Sequence, residues 1–317
     1  MIYKSISTYR NELMGWAIVW IMMLHFTFTQ IKPLGFVAQY GFAGVEIFML
    51  VSGFGLFFSL DKDSHLLRFY KKRLFRIFPT YYIIGVFSSL IVFHDDILTY
   101  LYRFSTIGFW TGGPYCEWYI PSIVMLYLFA PLVKKITDLR LFYVLALVIA
   151  VSIGLSLYFV DKEHLLDRSH FFFLYRISAF VMGMLCAYCM KHGLSEKYYW
   201  AVLVVGLPVF VLLFPRHHAV YNYKYLSLLF LLPVFTLAFT AVSKYVRLLN
   251  PVIGAIGKAS LEVYLIQGIF FSCIIRGIIT VPASWHDVVT VGLIVLCSLL
   301  GIAAHWLIDK SGILRLL

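Results

Sequence analysis

The sequence predicts an all-α, polytopic membrane protein of about ten transmembrane helices. Of its 317 residues, 62% are hydrophobic and only 13% are Asp, Glu, Lys or Arg, whereas a soluble domain is about half apolar and a quarter charged. Apolar runs long enough to cross about 30 Å of hydrocarbon as helices recur along the chain. Because backbone polar groups must be satisfied internally in lipid, each run is predicted to be helical. We expect a single integral-membrane domain over residues 1–317.

The apolar runs place the predicted helices at regular intervals. Their approximate bounds are 13–31, 40–60, 77–94, 118–136, 141–160, 171–190, 198–215, 225–243, 259–280 and 288–308. The first run lacks a small-residue cleavage site and is followed at once by another, so it is predicted to be a span and not a signal peptide. The sequence shows no pair of half-helices broken by Gly or Pro, the pattern typical of secondary transporters.

The distribution of basic residues predicts the orientation. Of the 26 Lys and Arg residues, 18 fall in the termini and alternate loops on one side, six on the other, and Arg176 and Arg276 within spans. Cytoplasmic loops carry the excess of basic residues, so both termini are predicted to be cytoplasmic. The net charge of +11 therefore follows membrane topology, and no nucleic-acid partner is expected. Four of the five cysteines lie in apolar runs, which argues against a disulfide framework.

Two ionisable residues at membrane depth form the first candidate site. His25 would lie roughly 18 Å from the cytoplasmic edge, and Glu46, on the next helix, roughly 21 Å from the same edge. Because the two lie at similar depth on helices joined by a short loop, they are predicted to face each other. Ionisable groups in membranes are rare and usually functional. A carboxylate beside an imidazole fixes its tautomer and raises its basicity. The alternative is a buried pair that specifies helix packing.

Two further segments carry candidate binding residues. Arg73 and Arg76, in FYKKRLFRIFPTYY at 69–82, lie three residues apart on one helix face, where guanidinium groups could bind phosphates. Alternatively, they serve orientation and lipid headgroup contact. Trp118 and Tyr119 begin the predicted fourth helix. They fit an aromatic belt at the membrane interface, or a platform on which a sugar could stack.

Taken in order, these stretches resemble the membrane acyltransferase-3 family, the integral-membrane O-acyltransferases of bacterial surface polysaccharides. The matching stretches are the first helix through His25, GFAGVEIFMLVSGFGLFF at 41–58, FYKKRLFRIFPTYY at 69–82, EWYIPSIVMLYLFAPL at 117–132, YRISAFVMGMLCAY at 175–188 and IGKASLEVYLIQ at 256–267. Three positions depart from the family pattern. Met14 replaces an arginine eleven residues before the histidine, Ile123 or Val124 a glutamate, and Gln267 a histidine. Arg10, one turn before Met14, is a candidate substitute for that arginine.

The resemblance implies an enzyme of the bacterial inner membrane that uses acyl-CoA. It would move an acyl group, with acetyl expected, from cytoplasmic acetyl-CoA to a hydroxyl of an extracytoplasmic or membrane-linked glycan. His25 matches the family's catalytic base or acyl relay, and Glu46 the adjacent acidic position. Arg73 and Arg76, with Arg10, would bind the phosphates of the donor.

The substrate-binding residues complete the expectation. Trp118, Tyr119, Arg176, Glu262 and Tyr264 are predicted to surround the reacting groups, and no metal is expected. The expected partners are acyl-CoA, a polysaccharide or lipid-linked glycan, and the bilayer. The alternative function is a glycan exporter or transporter that uses His25 and Glu46 as a proton relay.

Overall fold

The structure, a computed structural model, describes residues 2–63, 65–114, 117–137, 154, 168–213 and 221–312. Most of these residues are helical. No strand occurs within these ranges. In chain order the helices are α1 (Ile2–Thr8), α2 (Arg10–Phe26), α3 (Lys32–Ala38), α4 (Ala43–Lys62), α5 (Leu66–Ser88), α6 (Ile97–Phe104), α7 (Ile107–Thr111), α8 (Tyr119–Thr137), α9 (Arg168–Lys191), α10 (Lys197–Leu213), α11 (Tyr221–Tyr245), α12 (Asn250–Lys258), α13 (Ser260–Ile275) and α14 (His286–Lys310). A π-helical turn, Ser89–Phe93, extends α5.

The membrane crossings agree only in part with the predicted ten. In the described ranges, four helices are long and apolar enough to cross a membrane: Ala43–Lys62, Leu66–Phe93, Tyr119–Thr137 and Ala283–Lys310. A fifth crossing results if one bent pair counts as a single span. Each predicted span coincides with a helix except 141–160, of which all residues but 154 lie outside the described part of the chain. The all-helical class is therefore confirmed, while the number of ten and the orientation of the termini stay predictions.

The bent pair corrects one expectation from the sequence. Leu229–Tyr245 and Arg247–Lys258 meet at 91°, so the chain does contain an interrupted helix. Pro251 lies in the first turn of α12, where a missing N–H group is tolerated and the fixed φ favours a new helix start. The Asn250 side chain donates to the Ser243 carbonyl at 2.8 Å and thereby satisfies the end of α11. In the sequence, the pair Asn250-Pro251 was the signal from which this interruption could have been predicted.

Close helix contacts at glycines build the frame around α4 and α2. A Cβ added at Gly183 of α9 would lie 1.9 Å from the Leu50 carbonyl oxygen of α4. Likewise, a Cβ at Gly257 of α12 would lie 1.8 Å from the Asn11 carbonyl oxygen of α2. Small residues let helix backbones approach closely where lipid provides no hydrophobic drive for association. Side chains beside these contacts are therefore buried between fixed backbones.

The segment after α2 is held by α14. The Asp287 carboxylate accepts hydrogen bonds from the backbone N–H groups of Thr29, Gln30 and Ile31, at 2.8, 3.0 and 2.7 Å. The Thr290 hydroxyl donates to the Phe26 carbonyl at 3.0 Å. The bond from Thr290 satisfies a carbonyl that the end of α2 leaves open, and those to Asp287 hold the chain shortly beyond His25.

Candidate active site

A cavity of about 400 Å³, here called the basic cavity, opens between α2, α4, α5, α8, α12, α13 and α14. None of the described residues that line it carries a carboxylate. Its basic side chains are Arg10, Arg73, Arg76, Lys258 and His305. Convergence of these side chains makes the cavity a site of positive potential. The three arginines that the sequence assigned to a donor are thus brought together.

Arg73 and Arg10 lie in this cavity against apolar surroundings. The Arg73 guanidinium lies over the Phe69 ring at 5.8 Å from its centroid. Its Nε is buried and has no hydrogen-bond partner among the residues that the structure describes. The Arg10 guanidinium packs over Gly55, where an added Cβ would lie 3.2 Å from Nη2. An unsatisfied buried donor is costly, and an anionic oxygen is the partner that a guanidinium prefers.

Arg76 belongs to a cluster that sequence reasoning saw only in part. Glu262 is fully buried, and its Oε1 lies 3.5 Å from Arg76 Nη1 and 3.1 Å from His305 Nδ1. Arg76 also donates to the Lys258 carbonyl at 3.4 Å. Glu262 therefore holds Arg76 and His305 at the wall of the basic cavity. His305 was missed because 43 residues separate it from Glu262.

His25 lies one helical turn beyond the deep end of the basic cavity. That end is marked by Ile21 of α2 and Tyr264 of α13. His25 Nδ1 lies 2.7 Å from the Gln267 side-chain oxygen, and its ring stacks on Phe271 with centroids 4.5 Å apart. With Nδ1–H donating to Gln267, Nε2 keeps the lone pair that a base requires. Gln267, which departs from the family pattern, thus positions His25.

Glu46 has a different partner from the one predicted. The predicted pairing of Glu46 with His25 is wrong, because Arg176 Nη1 donates to Glu46 Oε1 and both side chains are only 1% exposed. The close α4–α9 contact directs Glu46 towards α9, where a guanidinium compensates the buried carboxylate. Arg176 also lies over the Trp118 ring, 5.4 Å from its centroid. These three predicted site residues form one cluster, and Glu46 contacts Arg176 rather than His25.

The start of α8 supplies an acidic group that sequence reasoning passed over. Tyr119 and Tyr264 line the basic cavity, with ring centroids 5.1 Å apart. The Tyr264 hydroxyl donates to Glu117 Oε2 at 3.0 Å. Room for Glu117 depends on Gly268, where an added Cβ would lie 2.3 Å from Glu117 Oε1. Adjacent positions of α13, Gln267 and Gly268, therefore contact His25 and Glu117.

A second cavity of about 360 Å³, here called the loop cavity, begins at His25 on the side away from the arginines. The loop between α13 and α14 forms much of its wall. Its polar lining residues are His25, Thr27, Thr280, His286 and Thr290. His25 thus lines one cavity and lies one turn from the end of the other.

The comparisons with known proteins identify the family of the chain. The family model for acyltransferase 3, described as an acyltransferase domain, matches residues 13–307. The chain belongs to the acyltransferase-3 family. A protein of Acidianus two-tailed virus, named "Putative acetyltransferase ORF330", is 30% identical over 140 residues, or 41% of this chain. The match spans 42% of the viral protein. No solved structure gives a significant match.

The departures from the acyltransferase-3 pattern lie around this site. Met14 and Ile123, which stand where the family often has an arginine and a glutamate, both line the basic cavity. Arg10 lines the same cavity one turn before Met14. A positive charge near the start of α2 therefore lines the basic cavity of this acyltransferase-3 protein, one helical turn before Met14.

Proposed function

We propose that this protein is a membrane O-acyltransferase of the bacterial inner membrane. It takes an acyl group, with acetyl expected, from cytoplasmic acyl-CoA and transfers it to a hydroxyl of an extracytoplasmic or membrane-linked glycan. Membership of the acyltransferase-3 family supports the acyltransferase chemistry. The chemistry of the two cavities supports the choice of donor and acceptor.

The observation that carries the proposal is the basic cavity and its route to His25. Acyl-CoA has phosphates at one end and a thioester at the end of a slender arm. Arg10 and His25 are 15 residues apart on α2, roughly 22 Å of helix, so phosphates at the arginines would leave the thioester near His25. Arg73, with its buried unsatisfied Nε, is suited to a phosphate oxygen. The excess of Lys and Arg on one side of the predicted topology supports cytoplasmic entry.

The reaction follows from His25 acting as the base. The acceptor hydroxyl gives its proton to His25 Nε2 while its oxygen attacks the thioester carbonyl. The bond between the acyl carbon and sulfur then breaks, and the new ester bond to the acceptor oxygen remains. The imidazolium returns the proton to the departing sulfur, which releases CoA as the thiol. Gln267 keeps the ring oriented, as the third member of a catalytic triad does.

The exporter alternative gains no support from the geometry. A proton relay between His25 and Glu46 needs the two side chains to exchange a proton. Instead, Gln267 is the hydrogen-bond partner of His25, and Arg176 is that of Glu46. The alternative also gives no reason for an arginine-lined cavity that ends one turn from His25.

The test combines binding with product analysis. Purified protein in nanodiscs is titrated with labelled acetyl-CoA, and the surface glycan of cells with and without the protein is analysed for O-acetyl groups by mass spectrometry. We expect saturable binding that unlabelled CoA displaces, and O-acetyl groups that disappear on deletion. If acetylation survives deletion while glycan export collapses, the enzyme proposal fails and the exporter alternative takes its place.

A further inference from the structure

We infer that the loop cavity is the acceptor site, and that it binds one neutral, hydroxyl-bearing unit such as a single sugar ring. The inference rests on the proposed function and names where its second substrate enters. It differs from the expectation from sequence, which had the acceptor pass Trp118 and Tyr119. In the structure, Tyr119 lines the basic cavity and Trp118 lies against Arg176.

The position of the loop cavity makes it the counterpart of the basic cavity. On α13, Ser260 and Tyr264 line the basic cavity, whereas Ile274 lines the loop cavity. On α14, His305 lines the basic cavity and His286 lines the loop cavity. The 19 residues of helix between these two histidines place them roughly 28 Å apart. The two cavities therefore lie at opposite ends of the same helices. His25 is the predicted catalytic side chain where the loop cavity begins.

The lining of the loop cavity indicates the chemical class of its ligand. None of the described residues that line it is Lys, Arg, Asp or Glu. The hydroxyls of Thr27 and Thr280 and the imidazole nitrogens can donate or accept hydrogen bonds, whereas the Thr290 hydroxyl, which already donates to Phe26, can only accept one. Such a set of groups suits a neutral ligand with several hydroxyls. A volume of about 360 Å³ is at the lower end for ligand pockets, so one small unit enters. Thr27 and Thr280 are exposed at the rim of the cavity, so the remainder of a longer acceptor would extend past them out of the cavity.

The wall beside His25 is held in a fixed shape. Thr27 has φ 59° and ψ 168°, a backbone conformation that a residue other than glycine adopts only when its surroundings impose it. The surroundings are the bonds of Asp287 to the segment from Thr29 to Ile31 and that of Thr290 to Phe26. A preformed wall at this point would present the acceptor hydroxyl to His25 without reorganisation.

The inference is tested by blocking the cavity from its rim. Thr280→Trp places a large ring at the rim of the loop cavity. Its matched control is Ile278→Trp, because Ile278 is two residues away, 52% exposed and not part of the lining. For each variant, acetyl-CoA affinity is measured on purified protein. Acetyl transfer to the native acceptor is measured in membranes of the producing cells.

We expect Thr280→Trp to lower acetyl transfer by about tenfold or more, because the indole would occupy space that a ligand in a pocket of this size needs, with unchanged acetyl-CoA affinity. Ile278→Trp should change neither. Equal transfer by the two variants would overturn the inference. If the unmodified protein neither binds acetyl-CoA nor transfers acetyl groups, the proposed function itself fails, which is a distinguishable result.

A second variant covers the case in which Thr280→Trp does not fold. Thr280→Cys is treated, after folding, with the thiol reagent MTSET, and the unmodified protein is treated in parallel to control for native cysteines. Modification should abolish acetyl transfer while acetyl-CoA binding stays unchanged. Full transfer by the modified Thr280→Cys protein would contradict the inference.

Discussion

The two cavities that flank His25 differ in their charge. Three arginines and a lysine line the basic cavity, whereas threonines and histidines supply the polar lining of the loop cavity. Such a difference is what a transfer from an anionic donor to a neutral acceptor requires. It also argues against a uniform conduction path, because none of the described residues that line the loop cavity is Lys or Arg. The asymmetry therefore supports the proposal that the donor and the acceptor bind at different ends of the same helices.

The largest expected effect comes from removing the imidazole of His25, the side chain between the two cavities. His25→Ala deletes the base, and we expect acetyl transfer to fall by about 10²- to 10⁴-fold, the usual contribution of general base catalysis. Acetyl-CoA affinity should hardly change, because the arginines that we propose to bind the phosphates remain. Transfer is measured with labelled acetyl-CoA in membranes.

The control for His25→Ala separates chemistry from folding. Protein level and melting temperature are compared with those of the unmodified protein. His25→Gln, which keeps a polar side chain of similar size, should be as inactive. Normal transfer by either variant would show that His25 is not the base.

The positive charge of the basic cavity is tested at Arg73. Arg73→Gln removes a guanidinium whose Nε is buried and unsatisfied. We expect acetyl-CoA affinity to fall by about ten- to a hundredfold, since hydrogen bonds to charged groups contribute about 1.5–3 kcal/mol. Affinity is measured by titration in nanodiscs at two salt concentrations.

The matched control is Arg68→Gln, five residues earlier on the same helix. Arg68 is 61% exposed, pairs with Asp63 at 2.9 Å and does not line the cavity. Its substitution should leave acetyl-CoA affinity unchanged. A similar loss in both variants would mean that general surface charge, rather than the basic cavity, attracts the donor.

Much of this site could be predicted from the sequence, and the failures have a common physical origin. Arg73 and Arg76 share a helix face by their spacing, so local geometry sufficed to place them together. The partner of Glu46 depends on how α4 is rotated towards α9, which depth along a helix does not determine. His305 and Glu117 became visible only through helix packing, because their partners Glu262 and Tyr264 lie 43 and 147 residues away.

A smaller effect is expected at His305, which shares Glu262 Oε1 with Arg76. His305→Leu removes the imidazole, so Glu262 would interact with Arg76 alone and draw it towards the cavity wall. We expect the KM for acetyl-CoA to rise about two- to fivefold, the size of a partly exposed ion pair, with kcat unchanged. His305→Gln keeps a donor for Glu262 and should restore the KM. A fall in kcat for both variants would instead place His305 in the chemistry.

The smallest effect on transfer is expected at Asp95, which lines neither cavity. Arg103 Nε and Nη2 donate to its two carboxylate oxygens at 2.7 and 2.9 Å. The hydrogen bond from Arg103, together with its charge, holds the pKa of the Asp95 carboxyl below its ordinary value. The pair therefore stabilises the fold above the ordinary pKa of about 3.9, and this contribution is lost as pH falls through the lower pKa of the folded state.

Asp95→Asn should therefore act on stability alone. We expect a loss of about 1.5–3 kcal/mol at pH 7, the contribution of hydrogen bonds to a charged group, and a smaller difference near pH 3. Melting temperatures in nanodiscs at the two pH values measure this, with transfer at pH 7 as the second readout. Because neither cavity contains Asp95 or Arg103, normal transfer by a destabilised variant would show that acetyl transfer does not depend on general stability. A large loss of transfer at a temperature where the variant is folded would contradict that separation.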